Sequence, residues 1–144
     1  MFSGINQLLG RLGDHPDLGK LLLRLTVGGL LLFHGEAKII HGVGWIAHLL
    51  AVRGLPGFIA YGAYIGEVVA PVMVIVGLMT RPAALIIAIN LVVATLLVKT
   101  GAFWDRTDVG AWALETEAFY LSGALTILLL GAGKYTLVRD MRLQ

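Results

Sequence analysis

Four long apolar stretches constrain the fold of this chain more than any other feature. They are Leu18–Ile40, Phe58–Met79, Pro82–Val98 and Ala111–Ala132. A helix that crosses a bilayer needs about 20 apolar residues, within a range of about 17–25. Each stretch falls within that range. The sequence therefore predicts an all-α fold, an integral membrane four-helix bundle, formed by a single domain over residues 1–144.

The composition agrees with a membrane location. Hydrophobic residues make up 58% of the chain and charged residues only 14%, whereas a soluble domain carries about 25% charged residues. The chain contains no cysteine, which excludes disulfides, thiol catalysis and cysteine-held metal centres. The net charge is +2 without a basic tract, so the sequence predicts no nucleic-acid partner. We therefore expect the chain to be surrounded by the lipid bilayer.

The segments around the apolar stretches predict several local features. Residues 1–19 lack the apolar core and cleavage site of a signal peptide. Their apolar residues follow helical spacing, which is compatible with a short N-terminal interfacial helix. The turn at Thr80–Pro82 is so short that the second and third helices must form an antiparallel hairpin. Pro71 lies inside the second stretch and is expected to kink that helix.

The distribution of basic residues predicts the orientation in the membrane. Cytoplasmic loops carry an excess of Lys and Arg, and Trp is enriched at membrane interfaces. With both termini in the cytoplasm, six basic residues lie on that side and four on the other, which also receives Trp45, Trp104 and Trp112. The cytoplasmic six are Arg11, Lys20, Arg81, Lys134, Arg139 and Arg142. We therefore expect a multi-pass protein with both termini in the cytoplasm.

Ionisable and amide side chains occur inside the apolar stretches. In the first, Arg24, His34 and Lys38 share one face at about 100° per residue. Charged groups inside a membrane usually face protein, water or a ligand. We therefore predict that the polar faces converge on one pocket, or on a proton path, in the outer half of the bundle. The predicted site residues are Arg24, His34, Lys38, Glu67, Asn90 and Glu117.

These residues allow more than one interpretation. Lys38 is expected to pair with Glu67 or Glu117. The alternative is that such ion pairs only hold a small bundle together, and this alternative stays open. No catalytic residue is assigned. His34, His41 and His48 recur every seven residues, a step of about 10.5 Å along a helix. That step is too long for one metal ion, so no metal site is predicted, and a haem held between helices is disfavoured.

The order of these residues, together with several glycine motifs, resembles the DoxX family over about Leu21 to Leu137. The residues that carry the resemblance are Arg24, His34-Gly35 with Lys38, Gly66-Glu67, Gly77–Arg81 with Ala83-Ala84, Glu117 and Gly131–Gly133. The resemblance implies a four-helix protein of the bacterial inner (cytoplasmic) membrane. It also implies a link to membrane redox systems, including quinone-coupled thiosulfate oxidation in a related branch.

Two classes of function follow. The first is a membrane subunit of a redox or quinone-linked system, in which a quinone carbonyl accepts a hydrogen bond from Lys38 or His34 and Glu67 carries protons. This function needs a redox partner protein, since the sequence has no self-contained catalytic or redox motif, and whether the chain is itself an enzyme stays open. The second is a non-enzymatic small-solute carrier or binding protein, expected as a homodimer, or a membrane scaffold for a partner complex.

Overall fold

The computed structural model describes residues 4–5, 10 and 13–138. Most of the predicted interfacial helix, and the basic residues Arg11, Arg139 and Arg142, lie outside the described residues. Within the described part the chain is helical and contains no strand, only an isolated bridge between Arg106 and Trp112. The predicted all-α membrane fold is confirmed. Three of the described helices are long and apolar enough to cross a membrane.

The first apolar stretch forms one helix, and a second, shorter helix follows it. Helix α1 spans Pro16–His41 and begins with a proline in its first turn, where the missing N–H of proline has no intrahelical partner to lose. It ends at Gly42, whose φ of +75° interrupts the helix. The short helix α2 spans Gly44–Val52.

Helix α3 spans Gly57–Val76 and changes its winding along its length. It starts as a 3₁₀-helix at Gly57–Tyr61, becomes π-helical at Ile65–Val69 and is α-helical at Ala70–Val76. Pro71 has no N–H to donate to the carbonyl of Glu67 four residues earlier. The π-helical turn lies directly before this proline, where the regular hydrogen-bond ladder is interrupted.

Helices α3 and α4 form the predicted antiparallel hairpin. Helix α3 ends at Gly77, which has a left-handed φ of +82°, and α4 spans Thr80–Val98. Helix α5 spans Glu115–Leu130. It begins four residues later than the predicted stretch because residues 105–113 fold as a loop closed by backbone hydrogen bonds. Its 16 residues give a length of about 24 Å, shorter than the other three long helices.

Apolar side chains, many of them alanine, form the core between the four long helices. The buried cluster consists of Val27, Leu31, Ala70, Val74, Ala83, Ala84, Ile87, Ala88, Leu91, Ala124 and Ile127. A second cluster places α2 against the start of α3, and it consists of Val43, Leu50, Ala60 and Ala63. Such small residues allow helix backbones to approach closely inside a membrane.

The two ends of the bundle differ. At one end, which we call the N/C end, the start of α1 meets the segment after α5, and the Lys134 backbone N–H donates to Asp17 Oδ1 at 3.2 Å. At the other, the α2 end, Lys99 Nζ donates to the Ala113 carbonyl oxygen at 3.1 Å. Both described ends of the chain therefore lie at the same end of the bundle.

Candidate functional site

Three of the predicted site residues meet between α1, α3 and α4, and we call them the polar cluster: Lys38, Glu67 and Asn90. Lys38 Nζ forms an ion pair with Glu67 Oε2. Asn90 Nδ2 donates a hydrogen bond to Glu67 Oε1 at 3.2 Å. The side chains of Lys38 and Glu67 are only 16% and 9% exposed. Each carboxylate oxygen of Glu67 therefore has a donor from a different neighbouring helix.

Two glycines allow the three helices to approach closely at the polar cluster. A Cβ at Gly35 on α1 would overlap the backbone carbonyl oxygen of Glu67. A Cβ at Gly66 on α3 would overlap the Asn90 side chain. In addition, the Tyr64 hydroxyl donates to the Lys38 carbonyl oxygen at 3.0 Å, joining α3 to the end of α1. The glycines of two sequence motifs, Gly35 with Lys38 and Gly66-Glu67, thus lie where α1, α3 and α4 make close contact.

Glu67 lies within the π-helical turn of α3. Single π-helical turns are rare and occur frequently at functional sites. The additional residue in such a turn changes the direction of the side chains relative to a regular α-helix. Together with Pro71, this turn sets the direction in which Glu67 leaves α3, toward both α1 and α4.

A cavity of about 330 Å³ extends from the polar cluster toward the α2 end. Its lining is mostly apolar and includes Trp45, Leu49 and Leu50 from α2, Ala63 from α3 and Leu97 from α4. The charged and amide side chains of the lining are those of the polar cluster.

The polar cluster lies deep in this cavity. Asn90 precedes the last residue of α4, Val98, by eight residues, a distance of about 12 Å along the helix. Because Val98 also belongs to the lining, the cavity covers this whole length of α4. The site is therefore an apolar slot with a polar inner end.

Arg24 lies in a different place, near the N/C end, and is 1% exposed. Its guanidinium donates to the carbonyl oxygens of Val74 and Ile75, both at 2.8 Å, in the last turn of α3. It also donates to those of Ala132 at 2.5 Å and Tyr135 at 2.8 Å, after α5. Arg24 thus binds the free carbonyl groups at two chain segments, and it does not line the cavity.

Glu117 and His34 are also separate from the polar cluster. Glu117 Oε1 pairs with Lys99 Nζ at 2.7 Å rather than with Lys38, and Glu117 Oε2 is buried without a hydrogen-bond partner in the described part of the chain. The exposed His34 ring lies edge-on to Tyr120, with 5.8 Å between ring centroids. Of the six residues predicted to share one cavity, Lys38, Glu67 and Asn90 line it together. The other three, Arg24, His34 and Glu117, lie outside it.

Helix α2 is the part of the site that the sequence analysis did not predict. Its nine residues are too few to cross a membrane, so a pattern of long apolar stretches does not predict it. The signal was nevertheless present, because glycines at 42, 44 and 54 bracket an apolar run. The break between α1 and α2 also places His34 on α1 and His48 on α2, so the heptad-spaced histidines do not align on one helix.

Comparison with known proteins places the chain in a family. The family model described as DoxX matches residues 19–100. The chain belongs to the DoxX family. The matched region of this DoxX chain contains most of α1, all of α2 to α4 and all three residues of the polar cluster, whereas α5 lies outside it.

A DoxX-like relative from Bacillus subtilis (strain 168) is named "Putative oxidoreductase CatD". It is 35% identical to this chain over 86 residues, which make up 60% of this chain and 63% of the relative. The chain thus matches less than two thirds of that protein's length. No solved structure matches this DoxX chain.

Proposed function

We propose that this DoxX-family protein is a membrane subunit of a redox system that holds a lipid-soluble quinone in the cavity, with the quinone ring at the polar cluster. The observation that carries the proposal is the position of Lys38, Glu67 and Asn90 at the inner end of an otherwise apolar slot. The name of the Bacillus subtilis relative, which includes the word oxidoreductase, supports a redox role.

The chemistry of the polar cluster fits this ligand. Lys38 has three N–H donors and uses one for Glu67, so the others can donate to a ring carbonyl. The Glu67 carboxylate can accept a hydrogen bond from a ring hydroxyl or hold a proton at one oxygen. A bound quinone supplies the two-electron, two-proton chemistry. Electrons are exchanged with a redox partner protein, and the residues of this chain bind and orient the ring.

The apolar lining favours this proposal over a small-solute carrier. A strongly polar solute that reached the polar cluster from water at the α2 end would have to pass Trp45, Leu49 and Leu97. Removing a polar group from water without new hydrogen bonds costs several kcal/mol. A molecule that is already dissolved in lipid does not lose hydration in this way. The slot is therefore better suited to a mostly apolar ligand.

We also propose that the protein lies in the bacterial inner membrane with both termini in the cytoplasm. At the N/C end, Lys20 and Lys134 flank Asp17, and Arg81 reaches the Leu128 carbonyl oxygen at 3.2 Å. Trp45 and the loop that carries Trp104 lie toward the α2 end. This distribution supports a cytoplasmic N/C end, an orientation in which the cavity would lie in the outer half of the membrane.

The experiment uses Trp45 as a reporter of the cavity. In the Trp104→Phe/Trp112→Phe background, Trp45 is the remaining tryptophan. The full chain in lipid nanodiscs is titrated with a benzoquinone that carries a decyl chain, and we expect saturable quenching of Trp45 fluorescence. Glu67→Gln removes the negative charge of the polar cluster and should weaken binding at least about tenfold, because a hydrogen bond to a charged group contributes about 1.5–3 kcal/mol.

Glu117→Gln is the matched control, since it also removes an ion-paired carboxylate but one outside the cavity. Its affinity for the quinone should equal that of the background protein. Quenching that does not saturate, or equal affinities for all three proteins, would reject the proposed site.

A further inference from the structure

The cavity is exposed on the side where α3 and α4 meet. Among its lining residues, Ile65 on α3 is 51% exposed, and Ile89 and Val93 on α4 are 56% and 42% exposed. The lining is also exposed at the α2 end, where Trp45 is 51% and Val98 54% exposed. Leu50 on α2 and Ala60 at the start of α3 are each 1% exposed, so the cavity is closed between those two segments. The exposed side chains where α3 and α4 meet therefore form an apolar opening, which we call the α3/α4 opening and define by Ile65, Ile89 and Val93.

The α3/α4 opening lies at the depth of the polar cluster. Ile65 precedes Glu67 by two residues and Ile89 precedes Asn90 by one. Both are therefore about 12 Å from the α2 end of the helices, at a level occupied by lipid chains when α3 and α4 span a bilayer. A ligand at the polar cluster can thus reach lipid sideways without passing the α2 end.

The size of the cavity adds a second constraint. Its volume of about 330 Å³ is at the lower end of the range for ligand pockets, about 300–1,000 Å³. Such a space holds a substituted ring and a few further carbon atoms. A long hydrocarbon chain has to continue outside it, and the α3/α4 opening is an apolar path on which the chain passes from protein to lipid.

Building on the proposed function, we infer that the ligand is a long-chain lipid-soluble molecule that enters from the bilayer. Its ring lies at Lys38, Glu67 and Asn90, and its chain leaves through the α3/α4 opening. The inference excludes compact, tailless quinones as the preferred ligands. It also assigns Ile65 and Ile89 a role in specificity, because they contact the chain rather than the ring.

Ile65→Phe/Ile89→Phe tests the opening by narrowing it from both helices. The matched control is Val69→Phe/Leu96→Phe, on the same two helices, at residues that are 49% and 59% exposed and do not line the cavity. Both variants are made in the Trp45 reporter background, to which phenylalanine adds no tryptophan signal. The probes are one benzoquinone with a decyl chain and the same benzoquinone with a methyl group instead.

At equal concentrations of the two quinones in the bilayer, the reporter protein should bind the decyl quinone severalfold more tightly than the methyl quinone. The decyl chain makes packing contacts at the α3/α4 opening that a methyl group cannot make. The Ile65→Phe/Ile89→Phe variant should lose this preference, so that its affinities for the two quinones become similar. The Val69→Phe/Leu96→Phe control should retain the preference.

Two results would overturn the inference and leave the proposed function intact. One is equal affinity of the reporter protein for both quinones. The other is an unchanged chain-length preference in the Ile65→Phe/Ile89→Phe variant. In both cases, Glu67→Gln would still bind the quinone more weakly than the reporter protein. If the reporter protein binds neither quinone, the proposed function fails and this inference fails with it.

Discussion

Lys38 and Glu67 are 29 residues apart in the sequence and form an ion pair between α1 and α3. Neither side chain is fully accessible, and the second oxygen of Glu67 is bound by Asn90 from α4. Removing either side chain of the pair leaves the other charge unpaired and largely shielded from water. The pair therefore links the stability of the bundle to the chemistry of the candidate site.

This relationship predicts strong coupling between Lys38 and Glu67. Lys38→Met leaves the Glu67 carboxylate without its cation, and breaking a buried pair in this way costs about 3–5 kcal/mol. Lys38→Met/Glu67→Leu removes both charges and should recover most of that loss. Denaturant unfolding of the full chain in detergent, applied to both single variants and the double variant, measures the coupling. A double variant whose loss equals the sum of the losses of the two single variants would show that the two residues act independently.

The close contact of α1 with α3 predicts different effects for two glycines of α1. Gly35→Ala places a methyl group against the Glu67 carbonyl oxygen and the Val68 side chain. Since the backbone cannot move aside freely, we expect a loss of about 1–3 kcal/mol. Gly29→Ala is the control, because nothing lies within 4 Å of the added Cβ, and it should be neutral or stabilise by up to about 1 kcal/mol. Equal unfolding free energies for the two variants would contradict the contact.

The sequence predicted the long helices well where proline and glycine flank an apolar run. The predicted bounds of α1, α3 and α4 agree with the structure within three residues. Apolar composition did not identify the start of α5, because residues 111–114 are also mostly apolar and belong to a hydrogen-bonded loop. It did not identify α2 either, since nine residues are too few for a span.

The candidate site was predicted in part for a related reason. Helical angles place Arg24 and Lys38 on one face of α1, but 14 residues separate them along the sequence, about 21 Å along the helix. Residues on one face can therefore serve opposite ends of a bundle. The partners of Arg24 are backbone carbonyl groups, which side-chain patterns do not reveal. Glu117 pairs with Lys99 because that lysine lies just after the end of α4, where α5 begins beside it.

The orientation in the membrane is a separate prediction. A reporter fused after Gln144 should lie in the cytoplasm, and one inserted at residues 101–108 should lie outside it, because the charged N/C end favours the cytoplasmic side. Alkaline phosphatase and green fluorescent protein give opposite signals on the two sides and serve as paired reporters. A cytoplasmic signal from the loop would reverse the orientation and move the cavity to the inner half of the membrane.

The four carbonyl contacts of Arg24 predict that it stabilises the N/C end of the bundle independently of the cavity. Arg24→Lys keeps the charge but cannot reproduce the planar arrangement of donors that reaches four carbonyl groups. At about 1.5–3 kcal/mol for each hydrogen bond to a charged group, loss of two of them should lower the free energy of unfolding by at least about 3 kcal/mol. Residues 131–138 should then become accessible to proteases in the folded protein, because two of the bonds hold that segment.

Arg81→Lys is the matched control for this prediction. Arg81 is exposed and donates to one backbone carbonyl, that of Leu128, at 3.2 Å, so its replacement should change the free energy of unfolding by less than about 1 kcal/mol. Quinone binding at the polar cluster should be the same in both variants as long as the bundle stays folded, since neither arginine lines the cavity. If Arg24→Lys were as stable and as resistant to proteolysis as Arg81→Lys, the carbonyl contacts of Arg24 would not hold the end of the chain.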